Sequence, residues 1–543
     1  MASPLSILKD VINLKKIHVE STELVTRNIQ RYGESFEQKH IVVHGRPIRR
    51  MQGLCPICGR RCAGYDHKSD HETLWRAPNL NGVPVYVAYC PRRIECPEHG
   101  VRTERIPWAD GQSHFTEDFN NEVAWFVCQM TKTAISEYLM INWRTVGHCV
   151  EAAQKRLEPD TSDRMRGLRR ICVDETSYRK GHSYITVVYD MDRSRVVWVS
   201  ERHGQSVFEE FCLQLTEWER SRIEIVAGDG AKWIDACVQK HFPNATRCVD
   251  FFHVVEWAIE ALDKVRINTA SKAAAEYERR KAEFEEAERQ AAHALAEAEK
   301  AKRDAEAELA AMPRRGRPSN RRKELLAFLT SLPSSSCHDI RSTGKAKGVI
   351  LSPEQQSILD NLKEAAMLVK GAKHALGHNP ENRTERQDAK IQLIENSYPD
   401  LYKAYQLKEA LRLILHMDTP DAAAHELSAW IAEAKASGLH PMKNLAEKIE
   451  RHSKNILNSV QFHVNSAKSE STNTTIKVLI KMARGFRNIG NMIALIYLKC
   501  SDTVVPLNNR IQMPAEEFAR RRRAANERRK ARIAERLQKK LSA

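Results

Sequence analysis

The sequence predicts a multidomain α/β protein: an alternating strand–helix core with a large all-α insertion, preceded by a small metal-binding module and a cluster of short helices. Three observations predict it. Residues 169–255 alternate short apolar runs with amphipathic segments, residues 263–455 carry helical patterning without strand-like runs, and a local Cys/His cluster lies between Cys55 and His99. At 543 residues the chain is also too long for a single core. The expected division is a lead-in at 1–50, a zinc-binding module at 51–112, a helix-turn-helix at 113–165, and the first part of the core at 166–262. The helical insertion follows at 263–455, the last part of the core at 456–505 and a basic tail at 506–543.

Each element has its own warrant. IHVESTELV (17–25) and HIVVHGRPI (40–48) alternate enough to be short strands, and 115–158 reads as consecutive short helices. RRICVDE (169–175) is an apolar strand ending in acids. YITVVYD (184–190) and RVVWVS (195–200) are β-branched runs joined by a short turn, which predicts antiparallel neighbours. In 206–218, Val207, Phe208, Phe211, Leu215 and Trp218 recur at helical spacing. IEIVAGD (223–229) is a further strand, AKWIDACVQKHF (231–242) a helix, and ATRCVDFFHVV (245–255) opens on a fifth strand. The order β-β-β-α-β-α-β is that of an RNase H-like core.

Beyond it, residues 268–311 are dominated by Ala, Glu, Lys and Arg. Ala270, Tyr277, Phe284, Ala291, Ala298, Ala305 and Met312 recur every seven residues, but the companion position is mixed. A solvated helix or helical hairpin and a dimer zipper fit equally. From 353 to about 500 the chain is mostly helical. The stretch from Pro514 onward holds eleven Lys/Arg against four Glu, either a basic helix or a disordered tail.

A formal charge of +16 suits a polyanionic partner, because each phosphate contact releases counterions. There is no apolar run of about 20 residues to span a membrane, and the opening MASPLSILKDVINLKK lacks the layout of a secretory signal. Thirteen dispersed cysteines with one cluster suggest a reducing cytoplasm and a metal site rather than disulfides.

Asp174 and Asp229 both follow apolar strands. In an open α/β sheet such strand ends converge, and a glutamate from an adjacent helix completes a cage of hard oxygen ligands for Mg²⁺ or Mn²⁺. Two such ions support in-line displacement at phosphorus. Asp190 and Asp250 have similar settings, so no single strand-end aspartate marks the site and only the set of acids does. Neighbouring strand residues face opposite ways, which favours Asp174 over Glu175.

Three segments resemble the DDE transposases of the ISL (L-three) family of insertion sequences: VDETSYRKGHSYITVVYD (173–190), VAGDGAKWIDACVQKHFPNATRCVDFFHVVEWA (226–258) and SAKSESTNTTIKVLIKMARGFRNIGNM (466–492). The resemblance covers about residues 50–500. It implies Asp174 and Asp229 as the first two catalytic acids, a D-x-x-H element at Asp250 and His253, and the catalytic glutamate at Glu470. Ala467, Lys468 and Ser469 replace the small or Asn-Gly residues usual before that glutamate. On a helix, Glu470, Asn473 and Lys477 share a face, with Arg484 and Arg487 beyond, a pattern suited to DNA phosphates. Asp250 and His253 either orient the site or form a structural pair. The 241 residues from Asp229 to Glu470 require an insertion.

Cys55-Pro-Ile-Cys58 and Cys96-Pro-Glu-His99 are two close ligand pairs fitting a closed structural zinc site, which the resemblance also implies. Cys62, His67, His71 and Cys90 compete as ligands; a redox CxxC would leave the second pair unexplained. AISEYLMINWRTVGHCV suggests a helix-turn-helix whose Asn142, Arg144 and Thr145 reach bases or phosphates, an ordinary helical linker being the alternative. Arg315-Gly316-Arg317-Pro318 is either an AT-hook-like core or a basic loop.

The expected activity is therefore that of an insertion-sequence transposase. It would bind terminal inverted repeats in double-stranded DNA and perform metal-dependent cleavage and strand transfer as a homo-oligomer on DNA, without a membrane or small-molecule substrate. The alternatives are a zinc and helix-turn-helix regulator without catalysis, against which the acids argue, and a nuclease that cleaves without joining.

Overall fold

In the computed structural model the described residues are 10, 12–14, 16–31, 33–67, 71–111, 113–179, 181, 183–312, 319–331, 349–464, 467–483 and 485–507, with scattered positions between 517 and 535. They fall into two units. One comprises Met1–Val254, Met417–Ala424 and His452–Ala543; the other comprises Val255–His416 and His425–Arg451.

Seven strands open the first unit: β1 (Ile17–Arg31), β2 (Glu34–Pro47), β3 (Ala63–His67), β4 (Thr73–Leu80), β5 (Val83–Tyr89), β6 (Arg92–Cys96) and β7 (Gly100–Thr103). They form a sheet ordered β1-β2-β5-β4 and a smaller one ordered β3-β6-β7. The strands expected at 17–25 and 40–48 are longer, because the outer half of the hairpin is polar and exposed on both faces and so carries little alternation. β2 pairs in parallel with β5, so one sheet spans the boundary expected at residue 50. The β4–β5 turn is Asn81-Gly82, both at positive φ, the chemistry a tight hairpin requires. Trp75 and Trp108 meet edge to face in the core of this sheet, ring centroids 5.6 Å apart. Buried Glu104 accepts hydrogen bonds from Tyr89 Oη (2.6 Å), Gly53 N (2.8 Å) and Arg92 N (3.1 Å), joining the Cys-rich turn to the larger sheet.

Three helices follow: α1 (Glu117–Val127), α2 (Lys132–Leu139) and α3 (Trp143–Leu157). Each begins at a side-chain cap: Thr116, Thr131 and Asn142 accept from backbone N–H groups of the first turn. Between α2 and α3 the chain turns in three residues, with Met140 in the left-handed region (φ 54).

Alternation in 170–249 produces one five-stranded sheet from β8 (Arg170–Arg179), β9 (Ser183–Asp190), β10 (Arg195–Glu201), β11 (Ile225–Gly228) and β12 (Thr246–Val249), ordered β10-β9-β8-β11-β12. The first three strands are antiparallel, while β11 pairs in parallel with both β8 and β12. The helix expected at 206–218 is two, α4 (Gln205–Gln214) and α5 (Glu217–Ser221). Thr216 starts a new capping box with Glu219, which ends the first helix. α6 (Lys232–His241) links β11 to β12. One face of the sheet buries Ile171, Val173 and Val226 against Phe208, Phe211 and Ile234.

The second unit is helical. α7 (Phe251–Ala311) leaves β12 and runs 61 residues, about 92 Å at 1.5 Å per residue. Residues 291–304 of α7 are exposed all round, while Ala305 and Leu325 are buried and Glu308 pairs with Arg321 at 2.9 Å. α7 and α8 (Asn320–Ser331) thus form the hairpin alternative at the far end. α9 (Pro353–Lys370), α10 (Lys373–Gly377), α11 (Glu385–Ser397), α12 (Pro399–Ile414), α13 (Pro420–Ala436) and α14 (His440–Gln461) complete the insertion. The chain then returns to the first unit as α15 (Ala467–Met482) and α16 (Ile489–Cys500). Here Ile476, Met492 and Ile496 cover the other sheet face, against Cys172, Tyr189, Ala227 and Cys248.

Candidate active site and metal centre

The parallel register of β8 and β11 pairs Ile225 with Arg170 and Ala227 with Cys172. Asp174 and Asp229 each follow that last pair by two residues, beyond the same end of the paired stretch. Cys172 and Ala227 both face α15, and strand side chains two residues apart share a face, so Asp174 projects toward that helix, while Asp229 follows the end of β11 and turns to Ala231 N before α6. Val249 lies opposite Gly228, and Asp250 N donates to Gly228 O at 2.9 Å, adding a third carboxylate at the same edge.

Each acid is held by its surroundings. Asp174 accepts from Glu175 N at 2.7 Å and from Asn473 Nδ2, and His253 Nε2 lies 3.9 Å away. Burial pushes the Asp174 carboxyl up and nearby Asp250 adds to this, against the pull of His253, the Glu175 N–H and Asn473. A cation among these groups would reverse that cost. Asp229 accepts from Ala231 N at 2.9 Å, and its carbonyl accepts from Arg247, which also pairs with Asp235 at 2.9 Å. Asp250 caps α7 through Phe252 N at 2.9 Å. Glu175 turns to α4, accepting from Gly204 N at 2.9 Å, with its own carboxyl raised by burial.

Glu470 is exposed in the first turn of α15. It precedes Asn473 by three residues, about 4.5 Å along the axis, and Asn473 touches Asp174. The helix carrying the glutamate is thereby fastened to the strand carrying the first aspartate. Asn473 itself corrects the sequence expectation. It is not on the exposed stripe with Glu470 and Lys477 but is buried, accepting from Thr176 Oγ1 at 3.3 Å and from Tyr189 Oη. A side chain buried and engaged in this way is not available for DNA phosphates.

At the N-terminal side, Cys55, Cys58, Cys96 and His99 present ligand atoms that all lie within 4.8 Å of one another, the one such group among the described residues. Cys58 Sγ is 3.7 Å from Cys96 Sγ, and His99 Nδ1 is 3.5 Å from Cys96 Sγ and 3.8 Å from Cys55 Sγ. A tetrahedron with metal–sulfur bonds of about 2.3 Å and metal–nitrogen bonds of about 2.0–2.1 Å has edges of about 3.8 and 3.6 Å. These three edges agree to within about 0.2 Å. Gly59 and Gly100, each one residue past its pair, take positive φ (70 and 67) and let each ligand turn fold back. Although burial raises the Cys96 thiol, backbone N–H groups of Glu98 and His99 and the thiols of Cys55 and Cys58 bring it down to about 7.

Residues 171–315 and 338–496, together more than half of the chain, match a family model described as a transposase. A transposase for insertion sequence element IS1557 of Mycobacterium tuberculosis is 32% identical over 461 residues, covering 84% of this chain and 88% of that protein. The chain belongs to the ISL (L-three) family of DDE transposases. A transposase for insertion sequence element IS1001 of Bordetella parapertussis is 22% identical over 445 residues, covering 80% of this chain and 86% of the relative. The match spans both the acidic edge and the helical insertion. DNA binding and recombination follow from membership. No helix among the described residues is long and apolar enough to cross a membrane.

The other expected DNA contacts of this transposase are dispersed. Arg144 is exposed and Thr145 half-buried on α3, while Asn142 is spent as its cap, accepting from Arg144 N at 2.8 Å. Lys477 and Arg487 are exposed. Arg484 and residues 315–318 lie outside the described residues. Sequence reasoning missed Arg247 and the Thr176–Tyr189 pair. Tyr189 offered a signal, since a tyrosine on a buried strand face needs a partner for its hydroxyl.

Proposed function

We propose that this transposase cuts and joins insertion-sequence ends at the acidic edge of an RNase H-like core, with Asp174, Asp229 and Glu470 holding two Mg²⁺ or Mn²⁺ ions. The observation that carries the reading is the parallel β8–β11 register, which pairs Ala227 with Cys172 two residues before Asp229 and Asp174, in the cluster that also buries Ile476 of the Glu470 helix. Three antiparallel strands followed by two parallel ones support the RNase H-like assignment. When bound, the ions would activate the attacking oxygen and stabilise the leaving one. The chain's own work is to hold those ligands, with Asp250 fixing the start of α7 and His253 beside Asp174. Positioning and electrostatics suffice for such chemistry, so no protein nucleophile is required.

Water is the first attacking group, releasing a 3′-hydroxyl that then attacks a target phosphate at the same edge. The Cys₃His cluster is a structural zinc site, and α2–turn–α3 is a helix-turn-helix reading the terminal inverted repeats. Exposed Arg144, His148 and Lys155 on one side of α3 support that reading. Two ends require at least two protomers assembled on the DNA. Asp174→Asn, Asp229→Asn and Glu470→Gln should each abolish cleavage of an end-bearing duplex while gel-shift binding persists. Near-parental cleavage by any one removes that residue from the mechanism. A pre-cleaved end that the parent fails to join would leave a nuclease without strand transfer.

A further inference from the structure

We infer that Asn473 is a positioning residue for the metal-binding edge: its amide fixes the rotamer of Asp174 and ties the Glu470 helix to it. The inference rests on Asp174 as a metal ligand. An ionised carboxylate only accepts, so the amide must present Nδ2 to Asp174. Oδ1 then faces the opposite way and needs donors, which Tyr189 Oη and Thr176 Oγ1 supply. All three partners come from the sheet and the amide comes from α15, so one side chain joins strands β8 and β9 to the helix.

The surroundings leave the amide no competing partner in water, since Asn473, Thr176 and Tyr189 are exposed by only 7%, 2% and 3%. With one Asp174 oxygen occupied by Asn473 and the other receiving the Glu175 N–H, the carboxylate plane is set before any ion arrives. Groups that orient a metal ligand in this way typically contribute about 10- to 100-fold to metal affinity. Ile476 and Leu479 are buried on the same helix, so the helix has apolar anchors of its own. The specific contribution of the amide is therefore directional.

The test is Mn²⁺ binding by the metal-depleted, zinc-loaded full chain, followed by electron paramagnetic resonance of free Mn²⁺, beside cleavage rate against Mg²⁺ concentration. Asn473→Ala should bind Mn²⁺ about 10-fold more weakly and recover cleavage at high Mg²⁺. Tyr189→Phe, which leaves Thr176 on the amide oxygen, should show a smaller shift in the same direction with its melting temperature unchanged within a few degrees. Asp174→Asn serves as reference and should lose both binding and cleavage at all Mg²⁺ concentrations. Parental Mn²⁺ affinity in both Asn473→Ala and Tyr189→Phe, with Asp174→Asn defective, overturns the inference alone. If Asp174→Asn binds Mn²⁺ like the parent, the metal reading falls and this inference with it.

Discussion

Gly228 packs against Val173 across the two aspartate-bearing strands, and Gly228→Ala tests how tightly that spacing is set. A Cβ built there would meet Val173 O at 3.0 Å, Val173 Cγ1 at 3.1 Å and Ile234 Cδ1 at 2.9 Å. The Ile234 methyl can rotate away, but the Val173 carbonyl belongs to β8. Carbon–oxygen contacts ordinarily start at about 3.3 Å, so β11 must move by about 0.3–0.5 Å just before Asp229. Overpacking of this kind costs about 1–3 kcal/mol. Catalytic groups tolerate about 0.5 Å of displacement, and about 1 Å costs on the order of 100-fold in rate. The expected result is a four- to tenfold slower cleavage, roughly, by that scaling, with melting lowered by a few degrees. Adding Ile234→Val relieves the side-chain contact and should restore part of the stability but not the rate. Parental rate and melting in Gly228→Ala would refute the claim that this contact spaces the acids.

Two further outcomes follow from other parts of the first unit. Zinc uptake by the metal-free chain should release fewer protons at pH 8 than at pH 6. The Cys96 thiol titrates near about 7 and must be a thiolate to bind, so it is mostly protonated below that value and mostly ionised above it. Calorimetry in buffers of different ionisation enthalpy measures the difference, and equal release at both pH values would contradict it. Tyr497→Phe should destabilise the first unit by about 1–3 kcal/mol in chemical denaturation, because it leaves the Val199 N–H without its acceptor. That bond is 2.9 Å in the parent, and an unchanged midpoint would show that water replaces it.

The five-stranded sheet was legible because its strands announce themselves. YITVVYD and RVVWVS are apolar and β-branched, and β9 pairs with β10 as expected. The ligand cluster was legible because both pairs share the pattern Cys-Pro-x-Cys/His-Gly. Long polar strands were less so: in β1 the alternation that marks one buried face is weak. The direction of Asn473 shows a different limit. Helical spacing groups it with Glu470 and Lys477, yet it also lies three residues before Ile476 and seven before Ile480, on the apolar stripe. Only the position of the sheet decides between those two memberships. Arg247 was illegible because two of its partners are backbone carbonyls, which leave no mark in side-chain patterning, and its carboxylate partner Asp235 lies on a different element.

The outer strands of the five-stranded sheet are finished by side chains supplied late in synthesis. Ser459 Oγ donates to Val249 O at 2.7 Å and Asn458 Nδ2 to Arg247 O at 3.0 Å on one flank, while Tyr497 Oη accepts from Val199 N on the other. Ser459 leaves the ribosome 210 residues after Val249, an interval of about 10–40 s at common elongation rates. Throughout that interval the nascent sheet offers open hydrogen-bonding rims to any neighbouring strand. A chain truncated before Asn458 would keep them permanently and should aggregate, whereas one ending after Val505 retains the groups that close both rims.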